Sequence, residues 1–117
     1  MYGLPEDIDL TFLIGEELIQ YAVGQNEIIL NFHPGASITV ESELKVTSPL
    51  GSFAATSPRL AAVHVDGLLG SVIVTATGTP DGTTSLTFDD GTVVEIFDNT
   101  EHYESYTITS SGTTIVV

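Results

Sequence analysis

Three histidines, sixteen carboxylates and ten serines are the side chains with which this 117-residue chain could do chemistry. A metal held by histidines needs ligands that share a helix face or a strand. His33, His64 and His102 stand 31 and 38 positions apart. Asp89-Asp90 and the run from Asp98 to Glu101 offer oxygen ligands, but neither carries the Asp-x-Asp-x-Asp-Gly loop of a calcium site. Ser52 and Ser71 each follow a glycine, without the Gly-x-Ser-x-Gly elbow that exposes a nucleophile. A glycosidase needs two carboxylates across a cleft, and nothing singles out a pair. No glycine-rich loop leads into a helix with a lysine to cradle phosphate. The expectation is a protein that is not an enzyme, with no catalytic residue, no metal and no other cofactor.

The carboxylates carry more information by their placement than by their number. Against 16 acids stand only Lys45 and Arg59, for a net charge of −14. Charged residues make 15% of the chain, where a soluble domain has about 25%. The anomaly is therefore a shortage of cations, and 16 Thr with 10 Ser supply polarity instead. Glu6, Asp7, Asp9, Glu16 and Glu17 crowd the start. Asp89, Asp90, Glu95, Asp98, Glu101 and Glu104 crowd the late part, while positions 46 to 88 hold only Arg59, Asp66 and Asp81. Two cations cannot make the phosphate contacts of a nucleic-acid binder or hold an anionic membrane. A basic protein surface is the partner this field attracts. Asp98, Glu101, Tyr103, Glu104 and Tyr106 are the candidate contact residues.

Apolar runs are too short for a membrane helix, and the N-terminus has acids where an export signal has Lys or Arg, so a cytoplasmic protein is expected. The absence of Cys removes disulfides and thiolate chemistry.

The elements that must position these residues are strands. Val, Ile and Thr make up 37 of the 117 residues, and branched side chains suit a pleated surface. Alternation puts Ile28, Leu30 and Phe32 on one face, then Ala36, Ile38 and Val40, with the turn Pro34-Gly35 between. Leu86 and Phe88, then Val94 and Ile96, repeat this about Asp90-Gly91. Phe32-x-x-Gly35 falls on Phe88-x-x-Gly91 at a shift of 56, and Leu13-Ile14-Gly15 on Leu68-Leu69-Gly70 at 55. An internal repeat over about 10–43 and 65–98 follows, each unit a short helix and three strands.

The helices are expected over Leu10 to Ile14, capped by Asp7 or Asp9, and from Ser57-Pro58 to about Leu69. Leu60, Val63, His64 and Leu68 would share a face of the second. Gly15 and Gly70 suit the left-handed position past a helix end. Residues 44–56 fall outside the units, with a strand near Ser52 to Ala55. A last hairpin joins Tyr103 to Thr109 with Thr113 to Val117 through Ser111-Gly112. The whole makes one domain, 1–117, mainly β with a minor helical part: an antiparallel sandwich or a partly open barrel.

The opening Tyr2-Gly3-Leu4-Pro5-Glu6-Asp7 resembles an uncharacterised family of small bacterial proteins. Phe12-Leu13-Ile14-Gly15 with Leu30-x-Phe32-x-x-Gly35 fits it. So does Leu86-x-Phe88-x-x-Gly91 followed by Tyr103-Glu104-Ser105-Tyr106, where Tyr106 takes the place of the family's usual Trp. The resemblance covers most of the chain except Leu44 to Thr56. It implies a binding protein similar to the immunity proteins that neutralise toxins, and brings no ligand or catalytic residue with it.

The leading expectation is a small non-enzymatic module, monomer or homodimer, that binds a basic protein. Two alternatives are a small-molecule carrier with a cavity lined by Leu30, Phe32, Leu86 and Phe88, and a DNA mimic.

Overall fold

The structure, a computed structural model, describes residues 2–100 and 104–117. Ten strands and one α-helix occur among these residues. They are β1 Glu17–Val23, β2 Ile28–His33, β3 Ser37–Val40, β4 Leu44–Ser48, β5 Gly51–Ala55, α1 Pro58–Val65, β6 Ile73–Gly78, β7 Thr84–Phe88, β8 Val93–Ile96, β9 Tyr106–Ser110 and β10 Thr113–Val116. One sheet has the order β1-β2-β3-β9-β10 and the other β5-β4-β8-β7-β6, both antiparallel. Inward side chains of the two sheets form one core, so the arrangement is a sandwich and not a closed barrel.

The strand alternation is as the residue pattern implies. Ile28, Leu30, Phe32, Ile38 and Val40 are buried in one sheet, and Leu86, Phe88, Val94 and Ile96 in the other. The duplication reaches into irregular detail. A bulge between Leu18 and Gln20 in β1 recurs between Ile73 and Thr75 in β6, 55 positions on. Gly15 (φ +92°) donates its N–H to the Ile73 carbonyl at 2.8 Å, and Gly70 (φ +89°) donates to that of Leu18 at 2.7 Å. Leu18 N to Ser71 O and Ile73 N to Glu16 O, both 2.9 Å, are a second reciprocal pair. They flank the Glu17–Val72 bridge, through which the pseudo-twofold axis passes.

The repeating unit is longer than three strands. The segments expected to lie outside it, 44–56 and the C-terminal tail, are its fourth and fifth strands. Leu44 pairs with Ala55 in β4–β5, and Tyr106 bonds to Val117 at the matching place in β9–β10. Each half hands this hairpin to the other sheet: β4 follows β3 but pairs with β8, and β9 follows β8 but pairs with β3. The late hairpin turns at Ser111-Gly112, as expected, with φ of 44° and 84°. Two positive values match the twist of the flanking strands in a two-residue loop.

The helices differ more from expectation. The first is a single 3-10 turn, Thr11–Leu13. Asp9 still serves it, its Oδ1 accepting from Thr11 N and Oγ1. The second is α1 followed by a 3-10 turn, Asp66–Leu68. Ser57 caps it by accepting from Leu60 N at 3.3 Å. Its buried side is Ala61 and Val65, whereas Leu60 and Val63 are exposed. The helix meets β1, β2, β4 and β5 along the open side of the sandwich, and small Ala61 allows it to sit close to four strands.

Candidate functional site

The exchange of hairpins sends two crossing segments over the same end of the sandwich. Glu41 to Glu43 carries the chain from β3 to β4, and Phe97 onward carries it from β8 towards β9. They hold each other: Glu41 N donates to the Ser105 carbonyl at 2.8 Å, and Phe97 N to the Glu43 carbonyl at 3.1 Å. Asn99 adds a side-chain clamp, its Nδ2 donating to Glu43 Oε2 at 3.2 Å and its Oδ1 accepting from Glu43 N at 3.4 Å.

Asp98 ties this end to the N-terminal segment. Its Oδ2 accepts from Gly3 N at 2.7 Å and its Oδ1 from Ser105 Oγ at 2.6 Å. Two acidic stretches almost a chain length apart thus meet. Glu41 and Glu104 are exposed at the crossing, and Glu6, Asp7 and Asp81 are exposed on the segments packed beside it. Asp81 holds its carboxyl below the ordinary range, through the Thr79 hydroxyl first and the Thr83 N–H second. Asp9 is lowered in the same way by Thr11. Both therefore keep their charge to lower pH than a free carboxylate.

The outer faces of the sheets are different. Across the first sheet run the rows Gln20-Asn31-Ser37-Thr109-Thr114 and Ala22-Ile29-Thr39-Thr107-Val116. Across the second run Ser52-Thr47-Val93-Thr87-Thr75 and Ala54-Lys45-Glu95-Ser85-Thr77. The charges in these four rows are Lys45 and Glu95, which face each other on neighbouring strands.

The five candidate residues have separate fates. Glu104 is exposed at the crossing end. Asp98 is half-buried and engaged in the bonds above. Tyr106 is 1% exposed, which corrects its place in a contact patch. It opens β9 on the same face as Ile108, opposite Val40, and so points into the core. Its hydroxyl donates to the Gly82 carbonyl at 2.6 Å and lies 2.7 Å from Thr84 Oγ1. Burial pushes this phenol up to about 12, with the Thr84 bond opposing and the Asp81 charge adding to the shift. Glu101 and Tyr103 lie outside the described residues. Glu41, Glu43 and Asn99, of which only Asn99 falls in the run from Asp98 to Glu101 that offers oxygen ligands, belong to the same end. Only the short Glu-Ser-Glu run pointed to the first two.

A groove of about 550 Å³ opens beside Glu41, lined also by Gln25, Asn26, Thr56, Ser57 and Pro58. Leu30, Phe32, Leu86 and Phe88, the lining considered for a carrier cavity, are buried in the core. Among the described residues no group of three or more His, Asp or Glu is placed to hold a metal ion. Ser52 Oγ lies 3.0 Å from the Thr47 hydroxyl, and His64 stacks on Phe53 with ring centroids 4.6 Å apart. No helix among the described residues is long and apolar enough to cross a membrane.

Comparison with curated proteins and with solved structures found no match. Comparison with protein families did find one: the model of a family of unknown function (DUF6188) matches residues 11–117, covering all ten strands, and the chain belongs to that family.

Proposed function

We propose that this is a small, non-enzymatic module of bacterial origin that works in the cytoplasm by binding a basic protein, in the manner of an immunity protein. The observation that carries it is the segregation of charge. The chain is −14 overall, yet four rows of outward side chains hold one acid; the crossing end gathers Glu41, Glu43, Asp98 and Glu104 with the acidic N-terminal segment, and a smaller group, Glu17, Asp89 and Asp90, lies at the opposite end. The larger group of carboxylates, at the crossing end, focuses a field that raises the on-rate of a cationic surface and screens out acidic ones. Hydrogen bonds from Glu41 N to the Ser105 carbonyl and from Phe97 N to the Glu43 carbonyl hold the described parts of the crossing segments together, which lowers the ordering cost of binding there.

A pull-down from native lysate tests this, with the intact chain as bait and bound proteins identified by mass. The expected prey is a basic protein whose capture falls steeply with salt, because exposed charge pairs are screened within about 8 Å at physiological ionic strength. Glu101→Lys with Glu104→Lys should reduce that capture about tenfold or more, two like-charge contacts having replaced two attractive ones. Undiminished capture by the reversed chain removes this end as the contact. A prey of acidic or neutral charge removes the reading itself.

A further inference from the structure

The two halves of the duplication act as controls for one another. Some exposed apolar residues occur in both, as Ile14 and Leu69 do, at 46% and 45% exposure. Ile19 and Val74 are another such pair, at the two matching bulges. These belong to the architecture. A second kind occurs in one half only. Leu50, at the tip of the β4–β5 turn, is 91% exposed, and the matching position in the β9–β10 turn is Gly112. Val63 is 69% exposed, whereas Ile8, which precedes Leu13 by the same interval that separates Val63 from Leu68, packs against the core. His64 has Asp9 as its counterpart, and Asp90 has Pro34.

The unmatched Leu50, Val63 and His64 converge with Phe53 and Leu68, whose counterparts Ile115 and Leu13 pack in or against the core, to line one groove of about 300 Å³, and Asp90 stands in its wall. The fold does not require Leu50 and Val63 to be exposed apolar residues, because the other half has Gly112 and the core-packed Ile8 in their places. The groove's chemistry is an apolar floor beside a carboxylate, on a chain with very few cations.

We infer that this groove receives an aliphatic or aromatic side chain flanked by a cation, presented by the basic partner; this rests on the function proposed above. A second copy of the chain fits poorly, since it would bring another −14 to a wall that already holds Asp90. β4 runs from the crossing end to this turn, about 15 Å of strand. Both contacts therefore fit within one interface of ordinary size.

The test follows amide NMR shifts of the isotope-labelled full chain during titration with the acetylated peptide amide Arg-Leu-Phe-Arg. Glu-Leu-Phe-Glu and Arg-Gly-Gly-Arg serve as controls. Saturable shifts are expected at Leu50, Val63, His64 and Asp90, with either control binding about fivefold or more weakly. Leu50→Gly, which installs the residue of the other half, should weaken the first peptide about tenfold. Asp90→Asn, which keeps its acceptor for the Thr92 N–H, should weaken the Arg-Leu-Phe-Arg peptide and leave the Glu peptide no weaker than before, so that the gap between the two narrows. Shifts confined to Glu41, Glu43 and Glu104 overturn the groove and leave the basic-partner reading standing. The absence of shifts with both cationic peptides overturns both. Broadening at the groove that grows with protein concentration in peptide-free samples assigns it to a second copy, and also overturns the inference.

Discussion

Tyr106→Phe removes one hydroxyl from the core and leaves the ring, which is 1% exposed, in place. The hydroxyl joins two strands of opposite sheets to a turn, through the Gly82 carbonyl at 2.6 Å and Thr84 Oγ1 at 2.7 Å. Thr84 and Gly82 are themselves buried. The cost is therefore that of stranded buried acceptors, about 1–3 kcal/mol, not that of an average exposed bond. At about 2 kcal/mol, the melting temperature of a domain this size should drop by roughly 6–10 °C. Thr84→Val removes the other hydroxyl, and the double variant should cost less than the sum of the singles by about 1 kcal/mol.

The same phenol gives a pH signature with a definite sign. Its folded value is raised from the ordinary 10.0 to about 12. The unfolded chain therefore releases this proton first as pH rises. The stabilisation is complete below pH 10 and is lost between 10 and about 12, amounting to roughly 2–3 kcal/mol when fully lost. Tyr106→Phe has no such proton, so the gap in stability between the two proteins should narrow across that window. Tyr21, raised by its bond to Asp66, titrates in both and cancels. Urea unfolding followed by far-ultraviolet circular dichroism, at neutral pH and at steps above about pH 9, measures the gap. A gap under about 0.5 kcal/mol at neutral pH, or one that stays constant up to about pH 12, refutes the buried network as described.

Glu16 is buried, and its Oε1 accepts from Gly35 N at 3.1 Å and Ala36 N at 2.7 Å. Glu16→Ala should cost about 2–3 kcal/mol by urea midpoint, and Glu16→Gln, which keeps a carbonyl acceptor, about half of that. Two glycines separate backbone strain from lack of space. Gly15 and Gly82 have similar φ, +92° and +96°, but a Cβ meets nothing at Gly15 and runs into Asp98 at Gly82. Gly15→Ala should cost about 1–2 kcal/mol, and Gly82→Ala should exceed it by about 1 kcal/mol or more; equal losses in thermal melts would contradict the packing of Asp98. Ser57→Ala should lower stability by about 1 kcal/mol through the lost cap on Leu60 N.

What was legible in the residues was local. β2, β3, β7 and β8 alternate without interruption, and their inward triplets made the repeat visible. β4 offers only Leu44 and Val46 inward, next to Glu43 and Lys45, so its alternation is too short to stand out until β8 is beside it. Pairing partners are non-local, and nothing in Leu44 to Ala55 says which sheet takes the hairpin. Reading α1 by its largest apolar side chains chose Leu60 and Val63. Packing chose Ala61 and Val65, because a helix lying over four strands needs a small contact surface. Tyr106 is instructive in another way. Its alternation with Ile108 was in the sequence, but its nearness to Glu101 and Glu104 suggested a surface patch. Strand register decides which side of a sheet a residue occupies, and chain proximity does not.

The topology explains why the acids are where they are. Because each half passes its hairpin to the opposite sheet, both crossing segments must traverse one end of the sandwich, however far apart they are in sequence. These segments bond to each other rather than to a strand ladder, so their side chains are free of the inward–outward alternation that a sheet imposes. Carboxylates at Glu41, Glu43 and Glu104 can be added there without placing like charges opposite one another across strands, a juxtaposition that destabilises sheets. On the faces that constraint is in force, and Thr and Ser fill the rows instead. The scarcity of Lys and Arg then has a structural counterpart. Polarity without charge covers the flat surfaces, and charge without compensation gathers in the segments and turns at the ends of the strands.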